Sequence, residues 1–308
     1  MKRILFFGSI CFFLFSCKKN DTPAAEPRLI FKFKFDSTQI RLNNTGDPSF
    51  VPAGNAAQSP VFHSMSAHYI EIAQEALTPF GSLSNVLYKN AEVTTGGSNA
   101  IDFSKSIIKA EGEEFFSVPL KNLKPDTYKW LRISLAYQNY DIKMTYRTPS
   151  YNSGNPFEIN GTVASFLGFN TYVTSYDLNG ETMVVNANRK QGYGAVKPFN
   201  IPVLGTINAV SWNPPATGRT TVVNPYAVAL GIPAGSCLVV AQFSNPIVIT
   251  GSEIKDIVVT VSLSINKSFE WVDKNQDGLF EPIDGLNGNA IMDSVVDMGI
   301  RGMIPIVN

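Results

Sequence analysis

Cysteine and histidine are scarce in this chain, and neither sign of charge dominates. The 308 residues include 3 cysteines and 2 histidines, and 25 Lys and Arg residues balance 25 Asp and Glu residues. A chain with equal numbers of positive and negative residues lacks the positive electrostatic potential that binds a phosphate backbone, so nucleic acid is excluded as a partner. Charged residues make up 16% of the chain and hydrophobic residues 44%, which excludes general disorder and predicts a substantial core.

Sequence motifs for catalysis are also missing. The chain has no nucleophile elbow, P-loop, His-Glu-x-x-His pair or dinucleotide-binding glycine motif in a suitable context. A glycosidase needs two carboxylates that face each other, but Glu113 and Glu114 are adjacent and would lie on opposite sides of a strand. The sequence therefore predicts a protein that is not an enzyme.

Residues 1–16 predict a secretory signal peptide. Residues 2 and 3 are basic, residues 4–15 form an apolar run too short to span a bilayer, and residue 16 is a small serine. We expect this segment to be removed from the mature protein.

Cys17 is the candidate site of lipid attachment. The sequence Leu-Phe-Ser-Cys at 14–17 is similar to a bacterial lipobox, which implies that Cys17 becomes the lipid-carrying first residue of the mature chain. Lys18 and Lys19 stand where Asp would favour inner-membrane retention, so the resemblance implies the outer membrane, facing either the periplasm or the cell surface. Residues 17–28 would form a lipidated, polar tether. The alternative is an ordinary signal peptide with an incidental Cys.

Cys237 is the other cysteine that remains after signal-peptide removal. Because Cys17 carries lipid in this interpretation, no intramolecular disulfide can form. The surrounding sequence PAGSCLVVAQF predicts an apolar strand, so we expect Cys237 to be a buried structural thiol and not a nucleophile.

The sequence from 29 to 308 predicts an all-β fold. Phe31, Phe33 and Phe35 alternate with lysines, which indicates a strand with one buried face, and β-branched and aromatic runs recur along the chain. Gly, Pro and Asn separate these runs at short intervals. We expect an antiparallel β-sandwich of the immunoglobulin-like or Greek-key type with long loops.

Two local signals bear on how the chain is organised within 29–308. Asn179 and Gly180 separate two alternating runs, which is the strongest sequence signal for a tight hairpin. The polar segment 145–162 is the best candidate for a linker, so a split into two domains near it is possible. One elaborated domain is the favoured interpretation.

An Asp- and Asn-rich stretch near the C-terminus matches the spacing of a calcium-binding loop. Ca²⁺ takes six to eight oxygen ligands, and such loops supply them at alternate positions around a sharp turn on glycine. Gly278 would occupy the turn. The candidate ligands at positions 1, 3, 5, 7, 9 and 12 are Asp273, Asn275, Asp277, the carbonyl of Leu279, Glu281 and Asp284.

This stretch departs from a true EF-hand, which needs flanking helices. Pro282 lies inside the loop, the preceding residues predict a strand, and Asp284 is shorter than the usual Glu. We therefore expect a structural site of weak affinity, about 10⁻⁴ to 10⁻³ M, as in extracellular calcium modules. Asn287, Asn289 and Asp293 could complete the ligand shell. The alternative is an Asx-rich turn without a metal.

Three N-terminal segments, FKFKFDSTQIRL, HYIEI and FFSVPLKNLKPDTYKWLRISLAY, resemble the MbnP-like β-sandwich proteins over about residues 29–140. Beyond Tyr151 the expected tryptophan-rich region is missing. The chain as a whole resembles a family of surface lipoproteins of the Bacteroidota. In these, an Asp-, Asn- and Gly-rich loop precedes a closing segment, here Val295 to Ile306.

The MbnP resemblance implies copper binding and directs attention to His63, Met65 and His68, whose side chains suit copper. On a strand, His63 and Met65 share a face and His68 points to the other, so only a bend would bring all three together. The alternative is that the histidines are half-exposed strand or loop residues.

Two functions remain open at this point. The first is a non-catalytic, lipid-anchored cell-envelope protein with a structural calcium loop that binds a glycan or an envelope partner. The second is an MbnP-like copper-binding envelope protein. Trp130, Trp212 and Trp271 could form a platform for stacking a sugar, or they could belong to the core.

Overall fold

The computed structural model describes residues 26–43, 47–81, 84–146, 152–200, 208–213, 233, 235–281, 293–300 and 302–308. The signal peptide and Cys17 lie outside these residues. The described part contains the strands β1 Arg28–Asp36, β2 Asn55–Gln58, β3 Val61–Ala73, β4 Asn85–Lys89, β5 Glu92–Val93, β6 Ala100–Asp102, β7 Glu114–Pro119, β8 Asp126–Tyr146, β9 Phe157–Phe166, β10 Asn170–Leu178, β11 Glu181–Lys190, β12 Gly194–Pro198, β13 Val210–Trp212, β14 Cys237–Ile249, β15 Ile257–Ser264, β16 Phe269–Val272, β17 Ser294–Met298 and β18 Met303–Val307. Short 3-10 turns span Phe103–Lys105, Leu120–Asn122 and Asn152–Gly154. In these same residues, no helix is both long and apolar enough to cross a membrane.

The fold is all-β, as predicted, and the strands assemble into four sheets. The largest has the order β13-β12-β9-β8-β3-β4, with β14 also paired to β8. A four-stranded sheet has the order β18-β15-β1-β7, and the two smaller sheets are β11-β10-β6-β5 and β17-β16-β2.

The main core lies between the seven-stranded sheet and the sheet that contains β1. Alternation along β1 buries Phe31 and Phe33 completely while Lys34 is exposed, so the predicted pattern is confirmed. The residues that pack with them from the two sheets include Ile70, Ile72, Leu131, Ile133, Val259 and Val261. Burial of each such side chain contributes about 1.5–3 kcal/mol, which makes this interface the main source of stability. The sandwich prediction is thereby confirmed.

Most pairs among the described strands are antiparallel, but two are parallel. β1 runs parallel to β15, from the pair Leu29–Ile257 to the pair Asp36–Ser264, and β6 runs parallel to β10. Parallel neighbours need a long crossover connection. Here most of the chain separates β1 from β15, so the sandwich is not antiparallel throughout.

Two connections between strands correspond to features noted in the sequence, the Asn179–Gly180 turn and the segment 145–162. Asn179 and Gly180 join β10 to β11 with φ angles of 50° and 78°, and Leu178 pairs with Glu181, so the predicted hairpin is confirmed. β8 and β9 pair from Tyr137–Phe166 to Tyr146–Phe157. The segment 145–162 therefore connects neighbouring strands of one sheet.

Candidate cation-binding loop

The strands β16 and β17 hold the two ends of the Asp-rich loop together. They pair in antiparallel fashion, with Val272 opposite Ser294, and β2 pairs with the other edge of β16. Asp273 directly follows β16 and Asp293 directly precedes β17. Both aspartates are therefore placed at the same end of the hairpin.

Asp273 organises the first turn of the loop. Its carboxylate accepts hydrogen bonds from the backbone N–H of Asp277 at 3.3 Å and of Gly278 at 2.8 Å. The chain turns through left-handed conformations at Gln276, with φ of 59°, and at Gly278, with φ of 76°. Such values favour glycine, so Gly278 is required by the backbone conformation. A Cβ there would meet no atom within 4 Å, so space is not the constraint.

Asn275 links two of the predicted ligands. Its Nδ2 donates to Asp277 Oδ2 at 2.9 Å and to Glu281 Oε2 at 3.2 Å. The second oxygen of Asp277 accepts from the backbone N–H of Leu279 at 2.9 Å. The side chains at positions 1, 3, 5 and 9 of the loop are thus joined by one hydrogen-bond network.

Asp293 closes this network from the other end of the loop. Its carboxylate accepts from the backbone N–H of Lys274 at 3.1 Å and of Glu281 at 2.9 Å. Burial raises the pKa of Asp293, and the negative charges of Asp273 and Asp277 act in the same direction, although the two backbone hydrogen bonds oppose them. Asp293 is therefore close enough to Asp273 and Asp277 for their negative charges to disfavour its own.

Two of these carboxylates are buried with no basic partner among the described residues. Asp273 is 9% exposed and Asp293 is 6% exposed. Within the described ranges, neither has a Lys, Arg or His nitrogen within 4.0 Å of its carboxylate. A buried negative charge is costly unless it is paired or binds a metal.

The loop rests on a small aromatic cluster. Phe280 is 5% exposed and its ring packs against Phe269 at 4.9 Å and Trp271 at 5.3 Å between centroids. The carbonyl of Phe280 accepts from the backbone N–H of Thr145 at 2.7 Å, which ties the loop to β8. The ligand spacing did not point to Phe280 or Thr145, although the apolar pair Leu279 and Phe280 inside an Asp- and Asn-rich loop was a usable signal.

Asp284, Asn287 and Asn289 lie outside the described residues. In the part of the chain that the structure describes, no group of three or more His, Cys, Asp or Glu side chains is arranged to hold a metal ion. A calcium shell at this loop would therefore also draw on the amide oxygen of Asn275 and the carbonyl of Leu279, which are not among those residue types.

The three candidate copper ligands lie in different surroundings along β3. Met65 is fully buried in the main core. His63 has a 45% exposed side chain and its Nε2 lies 3.0 Å from Asp141 Oδ2, whereas His68 is buried with its Nε2 3.0 Å from Glu92 Oε1. The structure does not bring these three side chains together.

The three tryptophans lie in two different surroundings. Trp271 is buried in the cluster with Phe269, Trp212 packs against the same cluster, and Trp130 packs elsewhere, beside Val240. The three tryptophans therefore do not share one platform.

Cys237, which we expected to be buried, is only partly buried because it is the first residue of β14.

Comparison of the chain with protein-family models, with curated proteins and with solved structures finds no match.

Proposed function

We propose that this protein is a non-catalytic, lipid-anchored cell-envelope protein in which a calcium ion holds the loop between β16 and β17, and that it binds a glycan or an envelope partner. The observation that carries the calcium proposal is the convergence of Asp273 and Asp293, both buried, on one hydrogen-bond network with Asn275, Asp277 and Glu281.

Electrostatics favours a cation at this position. Burial raises the pKa of Asp293, and the negative charges of Asp273 and Asp277 raise it further. A divalent cation would offset both effects at once. Backbone N–H groups already orient the carboxylates of Asp273 and Asp293, so little side-chain freedom remains to be lost when the ion binds.

The donor atoms favour calcium over softer metals. The side chains in the network carry carboxylate or amide groups, whose oxygens suit hard cations, and none carries sulfur or imidazole nitrogen. Asn275 donates from its Nδ2 to Asp277 and Glu281, so its amide group would turn to bring Oδ1 to the ion. The loop also includes a left-handed turn at Gly278, at the position where calcium loops turn sharply. An affinity of about 10⁻⁴ to 10⁻³ M suits a site that is loaded outside the cytoplasm.

A structural role follows from where the loop lies. β17 pairs only with β16 in the described part of the chain, and β17 leads directly to β18, which pairs with β15 in the main sandwich. An ion that fixes the loop would hold β17 against β16 and would resist local unfolding of the C-terminal strands.

A calcium titration of the melting temperature tests this proposal. We expect the melting temperature to rise by a few degrees in about 3 mM Ca²⁺ and to return on addition of EGTA, because a ligand that binds only the folded state stabilises it by about 0.8–2 kcal/mol at about 3–30 times its Kd. The double variant Asp273→Ala with Asp277→Ala should show no calcium-dependent shift.

A matched control is Asp102→Ala. Asp102 also accepts hydrogen bonds from a nearby backbone N–H and a hydroxyl, both in Ser104, but it lies far from the loop in sequence and on a different sheet. Its removal should leave the calcium-dependent shift intact. The calcium proposal is wrong if the wild-type melting temperature does not change with Ca²⁺, or if Asp102→Ala abolishes the shift as fully as the double variant does.

A further inference from the structure

A cavity of about 260 Å³ lies on the face of the seven-stranded sheet that points away from the main core. Its floor is a single row of cross-strand neighbours. Lys89 of β4 pairs with Tyr69 of β3, Tyr69 pairs with Ser134 of β8, and Ser134 pairs with Leu238 of β14. Directly paired residues project to the same face of a sheet, so these four side chains form one continuous strip.

The cavity is closed at one end and open at the other. Ser134 and Leu238 are buried, whereas Lys89 is exposed at the end of β4. The walls add His68, Phe80 and Glu92. The volume is slightly below the ~300 Å³ at which pockets for drug-sized ligands begin, so the occupant must be small.

Two hydroxyl groups at the closed end have no hydrogen-bond partner among the described residues. Ser134 is 3% exposed and Ser236 is 2% exposed, and both line the cavity. Neither side-chain oxygen is hydrogen-bonded to any group in the described residues. A buried hydroxyl without a partner costs about 1–3 kcal/mol, so these two positions point to a ligand that carries hydroxyl groups of its own.

The open end carries a carboxylate that is held in place. Glu92 Oε1 lies 3.0 Å from His68 Nε2 and 3.1 Å from Lys89 Nζ, and Glu92 Oε2 accepts from Asn99 Nδ2 at 2.8 Å. Burial raises the pKa of Glu92, but its hydrogen bonds with Asn99, His68 and Lys89 outweigh burial and lower it, so Glu92 is ionised at neutral pH. An ionised carboxylate is a strong acceptor for ligand hydroxyls.

Aromatic rings form the wall between these polar ends. The rings of Tyr69 and Phe80 stack with centroids 4.9 Å apart and an angle of 27° between planes. Both residues are only partly buried, so part of the ring surface remains accessible. An apolar ring surface beside hydroxyl and carboxylate groups suits a ligand with one flat apolar face and a hydroxyl-bearing edge.

We propose that this cavity binds a single sugar residue. Its C–H face packs against Tyr69 beside the edge of the Phe80 ring, one edge of the sugar exchanges hydrogen bonds with Ser134 and Ser236, and the opposite edge donates to Glu92. This inference rests on the binding role proposed above and names its ligand class, but it does not depend on the calcium loop or on the lipid anchor.

Saturation-transfer NMR tests the proposal with four sugars: glucose, galactose, mannose and N-acetylglucosamine. Each is used at about 10 mM, because a site with a few hydrogen bonds binds its ligand in the millimolar range. At least one of the four sugars should receive magnetisation from the protein. Titration of that sugar should show Ser134→Val weakening its affinity by at least about tenfold, since one lost hydrogen bond to a buried group is worth that factor. Ser236→Ala should weaken it similarly and leaves the folded strand β8 untouched.

Ser165→Ala is the matched control. Ser165 is fully buried on β9, its hydroxyl also has no partner in the described residues, and it does not line the cavity. Sugar affinity should be unchanged in this variant. If none of the four sugars gives a signal, or if Ser165→Ala weakens binding as much as the cavity variants do, the cavity holds only water and the inference is wrong. A calcium-dependent melting shift in the same preparation would show that the loop proposal survives that failure.

Discussion

Arg132 and Glu71 form a buried ion pair on the outer face of the seven-stranded sheet. Both side chains are fully buried, and Arg132 Nη2 lies 2.8 Å from Glu71 Oε2. The guanidinium lies 4.6 Å from the centre of the Phe80 ring, and the carboxylate accepts from the backbone N–H of Gly81 at 3.0 Å and from Ser84. Residues of the loop after β3 therefore supply contacts that lower the free-energy cost of burying this ion pair.

Removal of only one partner should be strongly destabilising. We expect Arg132→Met to lower the free energy of unfolding by about 3–5 kcal/mol, because Glu71 would remain as an unpaired buried carboxylate. The double variant Arg132→Met with Glu71→Leu should recover most of that loss, since replacing a whole buried pair by apolar groups is often neutral. Urea denaturation of the single and double variants measures both effects.

Lys129→Met is a control from the same strand. Lys129 Nζ lies 2.8 Å from Glu75 Oε1, and the two side chains are 43% and 67% exposed. Exposed pairs of this kind contribute at most about 1 kcal/mol, so this variant should change stability little. A loss at Arg132 no larger than that at Lys129 would show that the buried pair is not a structural requirement.

At the scale of elements, the hairpin of β16 and β17 depends on how its loop is docked. Phe280 fixes the loop against Phe269 and Trp271, and its carbonyl is bonded to Thr145. The same docking places Glu281, the next residue, where its backbone N–H reaches Asp293. Packing of one aromatic side chain therefore determines where two of the acidic groups meet.

We expect Phe280→Ala to lower the free energy of unfolding by about 3–5 kcal/mol, the usual cost of deleting a buried Phe side chain. It should also weaken calcium binding, because the docked position of Glu281 is lost. Leu279→Ala is the control, since its side chain is 38% exposed and its backbone carbonyl is retained. That variant should change stability by less than about 1 kcal/mol and keep the calcium-dependent shift. Equal effects of both substitutions, measured by denaturation and by calcium titration, would contradict this role for Phe280.

Features that depend on neighbouring residues were predictable from the sequence. Alternation in β1 identified Phe31 and Phe33 as buried, and Asn179 with Gly180 identified the hairpin, because period and turn conformation are local properties. The spacing of Asp273, Asn275 and Asp277 predicted a turn that their hydrogen bonds now define. These inferences needed no knowledge of which strands are neighbours.

Features that depend on strand pairing could not be predicted in this way. The parallel pairing of β1 with β15 brings the backbone N–H of Arg28 to 2.7 Å from Asp256 Oδ1, across 228 residues of sequence. Ser134 and Ser236 meet at one cavity only because β14 pairs with β8 in a particular register. A shift of β14 by one residue along β8 would turn Leu238 from the cavity towards the core, and nothing local in the sequence specifies that register.

At the scale of the whole molecule, both described ends of the chain lie at one end of the sandwich. β1 begins at Arg28, beside Ile257 at the start of β15, and the last strand, β18, ends beside Val259. The first described strand therefore begins near Asn308. A lipid anchor on the tether proposed for residues 17–28 would hold the sandwich by that end.

The proposed anchor predicts a clear difference between the two cysteines of the mature chain. In a bacterial host that processes lipoproteins, the wild-type protein should incorporate an alkyne-labelled fatty acid and sediment with membranes, because two or more acyl chains give stable anchoring where a single chain gives only marginal binding. Cys17→Ser should abolish the label and release the protein into the soluble fraction. Cys237→Ser should keep the label and the membrane location, since Cys237 lies partly buried at the start of β14 and cannot carry the anchor.

Persistence of the label in Cys17→Ser, or its loss in Cys237→Ser, would contradict the anchor at Cys17. Membrane association without any label would instead indicate that the folded sandwich binds an envelope partner directly.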